Sequence, residues 1–235
     1  QQSILPDELP EYLEIEAASV YQPAGADAEI GGDYYDLFRA PDDSIWFAIA
    51  DVCGKGVTAA TKTSMIKYSV RAFVAAGMSP ATVLREVNRF VADSGGASDI
   101  VTLWAGRLTP ETGELTYASG GHPPGVVRHM DGSFEKASPT GPLLGALADV
   151  VYGEETLQLG EGDVILLYTD GVTEARSDKL FFGEDRVQEA LAQGGSAEEI
   201  VRRLLTLVRR WVHGELRDDV AVLAIALRPR HGEHG

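Results

Sequence analysis

The sequence predicts an α+β fold in which β-sheets form the interior and helices cover them. Three observations lead there. β-Rich runs dominate the chain, short polar turns join several of them, and helical patterns cluster between runs of strands.

The strand-like runs lie at 14–21, 34–39, 45–51, 100–108, 114–119, 125–130, 151–159, 163–169 and 219–227. The turns "PDD" after Ala40, "PETG" before Glu114 and "MDGS" at 130–133 are hairpin connections, which make the strands they join antiparallel. A helix is expected over 57–76, with Ile66, Val70, Phe73 and Val74 on its apolar face. A second opens at Ser79-Pro80 and carries Val83, Leu84, Val87, Phe90 and Val91 on one side. Residues 183–192 suggest a shorter helix. The last begins with a capping box, Ser196 and Glu199, and buries Ile200, Leu204, Leu207, Val208 and Trp211. Phe73 and Trp211 are expected as core anchors.

The 235 residues are 44% hydrophobic, enough for one large domain, expected over 13–230. The opening "QQSILPDELP" reads as the end of a helix stopped by Pro6 and Pro10. Residues 1–12 are therefore expected to be the tail of an upstream element, and 231–235 a short tail. A net charge of -16 repels phosphate backbones and argues against nucleic acid as a partner. Apolar runs such as "IWFAIA" and "VILLY" fall far short of the roughly 20 residues of a membrane span, so no direct membrane insertion is expected. The single cysteine, Cys53, asks for no oxidising compartment, and a cytoplasmic location is expected.

The acidic residues carry the functional signal. Asp51 ends "IWFAIA", Asp170 follows "VILLYT", Asp33 precedes "YYDLF", and Asp218 and Asp219 precede "VAVLAIAL". Each stands at the mouth of a strand that should be buried. Carboxylates gathered there repel and raise one another's pKa unless cations join them. Four such groups match two divalent ions, and an all-oxygen donor set favours Mg²⁺ or Mn²⁺ over zinc. Gly31, Gly32, Gly54, Gly56 and Gly171 would let the backbone turn sharply and approach the ions closely.

"GGDYYD", "IADVCGKGV", "YASGGHPP", "LLYTDGVTEAR" and "RDDVAVL", in this order from 31 to 223, resemble the metal-dependent PPM/PP2C-type serine phosphatases, specifically their bacterial SpoIIE and Rsb branch. That resemblance implies an α-β-β-α sandwich of two antiparallel sheets flanked by helices. It implies two Mn²⁺ or Mg²⁺ ions that activate a bridging water, with no phosphoenzyme. Asp51 would bridge both ions, the carbonyl of Val52 would complete one shell, and Asp33, Asp170 and Asp218 would supply the rest. Asp219 is the alternative to Asp218, since "RDD" lets either be the ligand. Gly54, Lys55 and Gly56 are the candidates to touch substrate or leaving group, with Lys55 or a bound water protonating the leaving serine oxygen. Asp99 is a candidate for a third ion, although a loop acid is the simpler reading. The sequence departs from eukaryotic-type relatives twice: "GADAEI" lacks the arginine that holds substrate phosphate, and Cys53 replaces a histidine.

By the same resemblance, the substrate would be a phosphoserine on a STAS-type anti-anti-sigma partner. The paired helices would couple an upstream segment, or a homodimer contact, to the metal site. The rival reading is a non-catalytic or weakly active domain of this fold that binds a signalling partner. Other readings of single motifs fail. "GKGVTA" matches a dinucleotide loop, but Asp51 just before it would repel a pyrophosphate. The loop after Cys53 lacks the arginine of a thiol phosphatase. His122 in "GGHPP" reads as a turn residue held by prolines. Arg202, Arg203, Arg209 and Arg210 read as a solvated face.

Overall fold

The computed structural model describes residues 8–24, 32–54, 56–94 and 100–229. In chain order the elements are β1 (Ile15–Gln22), β2 (Tyr34–Arg39), β3 (Ile45–Val52), α1 (Gly56–Ala75), α2 (Pro80–Ser94), β4 (Val101–Thr109), β5 (Glu114–Gly120), β6 (Gly125–Arg128), β7 (Phe134–Ala137) and β8 (Glu155–Gln158). They continue with β9 (Val164–Tyr168), α3 (Asp170–Thr173), β10 (Arg176–Ser177), β11 (Leu180–Phe181), α4 (Gly183–Ala192), α5 (Ala197–Val212) and β12 (Val220–Leu227).

Two five-stranded sheets, ordered β1-β12-β9-β6-β7 and β2-β3-β4-β5-β8, pair antiparallel throughout. The three expected hairpins join β2 to β3, β4 to β5 and β6 to β7. In the second, Gly113 has φ +73, and a Cβ there would meet the Leu159 carbonyl oxygen at 2.1 Å. Only glycine fits.

Strand alternation sorts the side chains into three apolar layers. Ile45, Phe47 and Ile49 of β3 face the other sheet, with Ala221, Leu223, Ile225 and Leu227 of β12. Trp46, Ala48 and Ala50 turn the other way, against α1 and α2. Val220, Val222, Ala224 and Ala226 turn against α4 and α5. The order is thus helices, sheet, sheet, helices, the sandwich that the resemblance implies.

The helices follow the expected patterns with informative differences. The capping box at Ser196 and Glu199 forms with both reciprocal hydrogen bonds. Phe73 and Trp211 lie at the rim of the core, partly buried, not at its centre. Trp211 instead meets Arg186, whose guanidinium sits 4.0 Å from the ring. The stripe of α1 also buries Thr63 and Lys67. Beside them Arg71 donates to both oxygens of buried Asp36 on β2, at 2.6 and 2.8 Å. Arg203 is no mere surface charge: it donates to the carbonyls of Ala190 and Gly194 at the end of α4.

The strand expected over 151–159 shrinks to β8. Val151 is 90% exposed, and the Glu154 carboxylate accepts from Ala81 N at the start of α2, drawing that stretch out of the sheet. Leu9 and Tyr12 pack against the layer between the sheets. Among the described residues no helix is long and apolar enough to cross a membrane.

Candidate functional site

Alternation also decides where the acids point. Tyr35 and Leu37 of β2, Ile45, Phe47 and Ile49 of β3, Ile165 and Leu167 of β9, and Ala221 and Leu223 of β12 all face the layer between the sheets. Two residues along the same parity come Asp33, Asp51, Thr169 and Asp219. The register puts them at one end: Tyr34 opens β2 opposite Ala50, and Tyr168 closes β9 opposite Val222. The mouth of the layer between the sheets is therefore lined with carboxylates.

Asp33 is 6% exposed, and its Oδ2 accepts from the Thr169 hydroxyl at 2.6 Å. Thr169 Oγ1 in turn accepts from Ala221 N at 3.0 Å, so β9 and β12 hold the donor rigidly. Burial first, then the charge of Asp51, raises the Asp33 carboxyl well above the usual carboxylate range. Asp51 and Asp33 lie close enough to influence each other's ionisation. Burial, followed by the charges of Asp170 and Asp218, pushes Asp51 up to about 7. Asp170, half-buried at the start of α3, is raised by burial and by Asp218. Among the described residues, neither lysine nor arginine figures among the principal influences on these three acids.

Asp218 and Asp219 differ. Asp218 is exposed, and its charge acts on Asp51 and Asp170. Asp219 is buried, with Oδ2 accepting from Tyr21 Oη at 3.0 Å and Oδ1 from Ala24 N at 2.8 Å.

The glycines serve the backbone first. A Cβ on Gly32 would lie 1.9 Å from the Val52 carbonyl oxygen, and one on Gly171 would lie 1.8 Å from that of Asp219. The expected close approach is thus, at these two positions, between neighbouring chain segments. Gly54 and Gly56 take φ of +122 and +76 in the turn that carries the chain from β3 into α1. Gly31, Lys55 and Asp99 lie outside the described residues. Val52 is buried, and its N–H donates to the Gly32 carbonyl at 3.2 Å, fixing Asp51 beside Asp33. Cys53 is exposed.

His122 is not an open turn residue. It is buried, its Nδ1 is 2.8 Å from the Thr102 hydroxyl, and burial pushes it down to about 3, so the ring is neutral. Thr102 lies opposite Asp51 across β3 and β4, which puts this pair beneath the acids. Sequence reasoning missed Thr169, Thr63 and Tyr21. Thr63 of α1 lies 3.3 Å from the Gly32 carbonyl and tethers the helix to the segment carrying Asp33. The available signal was a hydroxyl directly before an acid in "YTDG".

Mutually repelling carboxylates with no basic group among their main influences from the described residues fit a hard divalent cation as counter-charge. Among the described residues, however, no three Asp, Glu, His or Cys side chains are arranged to hold an ion. The acids converge without closing on one point.

Residues 41–228 match the family described as Stage II sporulation protein E (SpoIIE). The chain is 32% identical over 228 residues to phosphoserine phosphatase RsbU of Bacillus subtilis, covering 96% of this chain and 67% of that one. The crystal structure of the RsbU and RsbW domains of Rv1364c from Mycobacterium tuberculosis superposes with a TM-score of 0.79 at 29% identity, covering 92% of this chain and 62% of that one. The catalytic domain of the serine/threonine phosphatase PstP, in complex with 2 manganese ions, shares the fold at 18% identity and a TM-score of 0.66, covering 92% and 99%. The layered sandwich, the acids at its mouth and the match over most of its length make this chain a member of the SpoIIE family, a PP2C-type phosphatase domain.

Proposed function

We propose that this domain hydrolyses phosphoserine on a protein partner, with Asp33, Asp51, Asp170, Asp218 and the Val52 carbonyl holding two divalent ions, Mn²⁺ or Mg²⁺. Its family makes it a phosphoprotein phosphatase of the serine/threonine class. The ligand set, the ion count and the identity of the phosphoprotein are the proposal. One observation carries it: strand-end aspartates meet at the mouth of the layer between the sheets, and burial together with mutual repulsion raises Asp33, Asp51 and Asp170.

Bound ions would supply a water of lowered pKa and charge to offset that on the phosphoryl group. Each residue then has a defined task. Asp51, whose carboxyl feels Asp33, Asp170 and Asp218, would serve both ions. Thr169 holds the remote oxygen of Asp33 and so orients the other toward the site. Asp218 is preferred to Asp219, because both oxygens of Asp219 already accept from Tyr21 and Ala24. Gly54 and Gly56, which carry no side chain, would let a substrate serine come close beside Asp51.

The substrate proposed is a STAS-type anti-anti-sigma protein, on the family resemblance of the five motifs; cytoplasmic location and a dimer through the helices or an upstream segment go with it. Among the described residues no three acids close on one point. That supports a fragment that binds ions weakly and works slowly without an upstream partner.

The test is hydrolysis of p-nitrophenyl phosphate and of a phosphoserine STAS protein with and without Mn²⁺, in wild type and in Asp51→Asn. Turnover that requires Mn²⁺ and disappears in the variant supports the reading. Turnover indifferent to both removes the acids from the chemistry, and the absence of any turnover favours a domain that only binds its partner.

A further inference from the structure

We infer that Asp219 and Tyr21 act as a clamp that positions the acidic site, and that Asp219 is not itself an ion ligand. This rests on the reading of Asp33, Asp51, Asp170 and Asp218 as the ligands. Asp219 is 8% exposed, and its two oxygens are committed in different directions, Oδ2 to the Tyr21 hydroxyl and Oδ1 to Ala24 N. These partners lie 198 and 195 positions away in the chain, so one side chain ties the start of β12 to the end of β1. Ala24 lies two residues past the end of β1.

The backbone of Asp219 works in the same place. Its carbonyl presses on Gly171, directly after Asp170, and its N–H donates to Asp218 Oδ1 at 3.0 Å. Asp219 thereby touches the chain next to two of the proposed ligands, at Gly171 directly after Asp170 and at Asp218 itself, while its side chain anchors the end of β1. A carboxylate suits this role because it presents two acceptors and no donor to two converging donors. Asparagine offers one acceptor oxygen, for the Ala24 N–H, and could meet Tyr21 only with that bond reversed, its NH₂ donating to the hydroxyl oxygen, and without the carboxylate charge that strengthens both bonds. The adjacent acids of "RDD" thus divide the work, the exposed one facing the ions and the buried one holding the frame.

The experiment is Mn²⁺ binding to this chain, read from the loss of the free-ion electron paramagnetic resonance signal, for wild type, Y21F, D219N and D218N, with a thermal melt of each metal-free protein as a check on folding. Tyr21→Phe removes one clamp bond and no carboxylate. Outer-shell changes of this kind weaken metal affinity by roughly 10–100-fold. D219N should fall in that range with the number of bound ions unchanged, and Y21F should lose several-fold while melting as wild type does. D218N should lose an ion outright. Wild-type affinity in Y21F, or loss of an ion in D219N with Y21F unaffected, would overturn the clamp. Wild-type affinity in D218N would overturn the ligand assignment itself, a different failure that the same titration distinguishes.

Discussion

Replacing Asp51 by Asn should make the metal-free protein more stable and the metal-loaded protein less so. Asp51 is pushed up to about 7 from an ordinary aspartate value of 3.8, by burial and then by Asp170 and Asp218. Each unit is worth about 1.4 kcal/mol, so holding this carboxylate ionised costs up to about 4 kcal/mol, and less where solvent reaches it. The sign follows from proton linkage. The unfolded chain releases this proton near pH 4 while the folded chain keeps it to about 7, so metal-free stability declines as pH rises across that window and stays low above it. Asparagine has no such proton. At pH 8 with a chelator, the variant should melt several degrees above wild type, since 1 kcal/mol moves a domain of this size by roughly 2–4 °C. At pH 4 the two should melt together. Adding Mn²⁺ should raise wild type strongly and the variant little. Differential scanning calorimetry at both pH values, with and without Mn²⁺, reads all of this. A variant less stable than wild type at pH 8 in chelator, with an undiminished Mn²⁺ shift, would refute the repulsion.

Other predictions test the same frame. Mn²⁺ affinity should rise as pH increases from 6 to 8, because the raised carboxylates must release protons to bind, and calorimetry in buffers of different ionisation heat should register that release; a flat profile would show that the ions bind elsewhere. Gly171→Ala sets a Cβ 1.8 Å from the Asp219 carbonyl oxygen and should cost roughly 3 kcal/mol or more of stability in chemical unfolding, where an exposed glycine would cost little. Arg71→Ala removes both guanidinium hydrogen bonds from Asp36, 2% exposed, leaving Lys67 as a nearby positive charge, and should destabilise by roughly 1–3 kcal/mol; a change below about 1 kcal/mol would mean that Lys67 or solvent replaces the pair.

Much of the fold was legible because the local signals agree. "PETG" and "MDGS" specify tight hairpins, the Ser196–Glu199 pair specifies a helix start, and every other residue of β3 faces the same layer. The candidate acids were legible for a related reason: a charge at the end of an apolar strand has few neighbours to neutralise it. What stayed hidden depends on contacts between distant segments. All eight residues of β12 are buried, so its sequence does not reveal which face carries Asp219, and "RDD" alone does not separate an exposed acid from a clamped one. Thr169 and Thr63 looked like ordinary strand and helix residues. Their hydroxyls matter only because β2 and Gly32 arrive beside them. β10 and β11, two residues each, are too short to leave a periodic trace.

The most direct measurement is the anomalous scattering of a crystal of this chain soaked in manganese. Two peaks between Asp33, Asp51, Asp170 and Asp218, one of them within reach of the Val52 carbonyl, are the expected result. Peaks confined to surface acids, with none between Asp33 and Asp51, would contradict it.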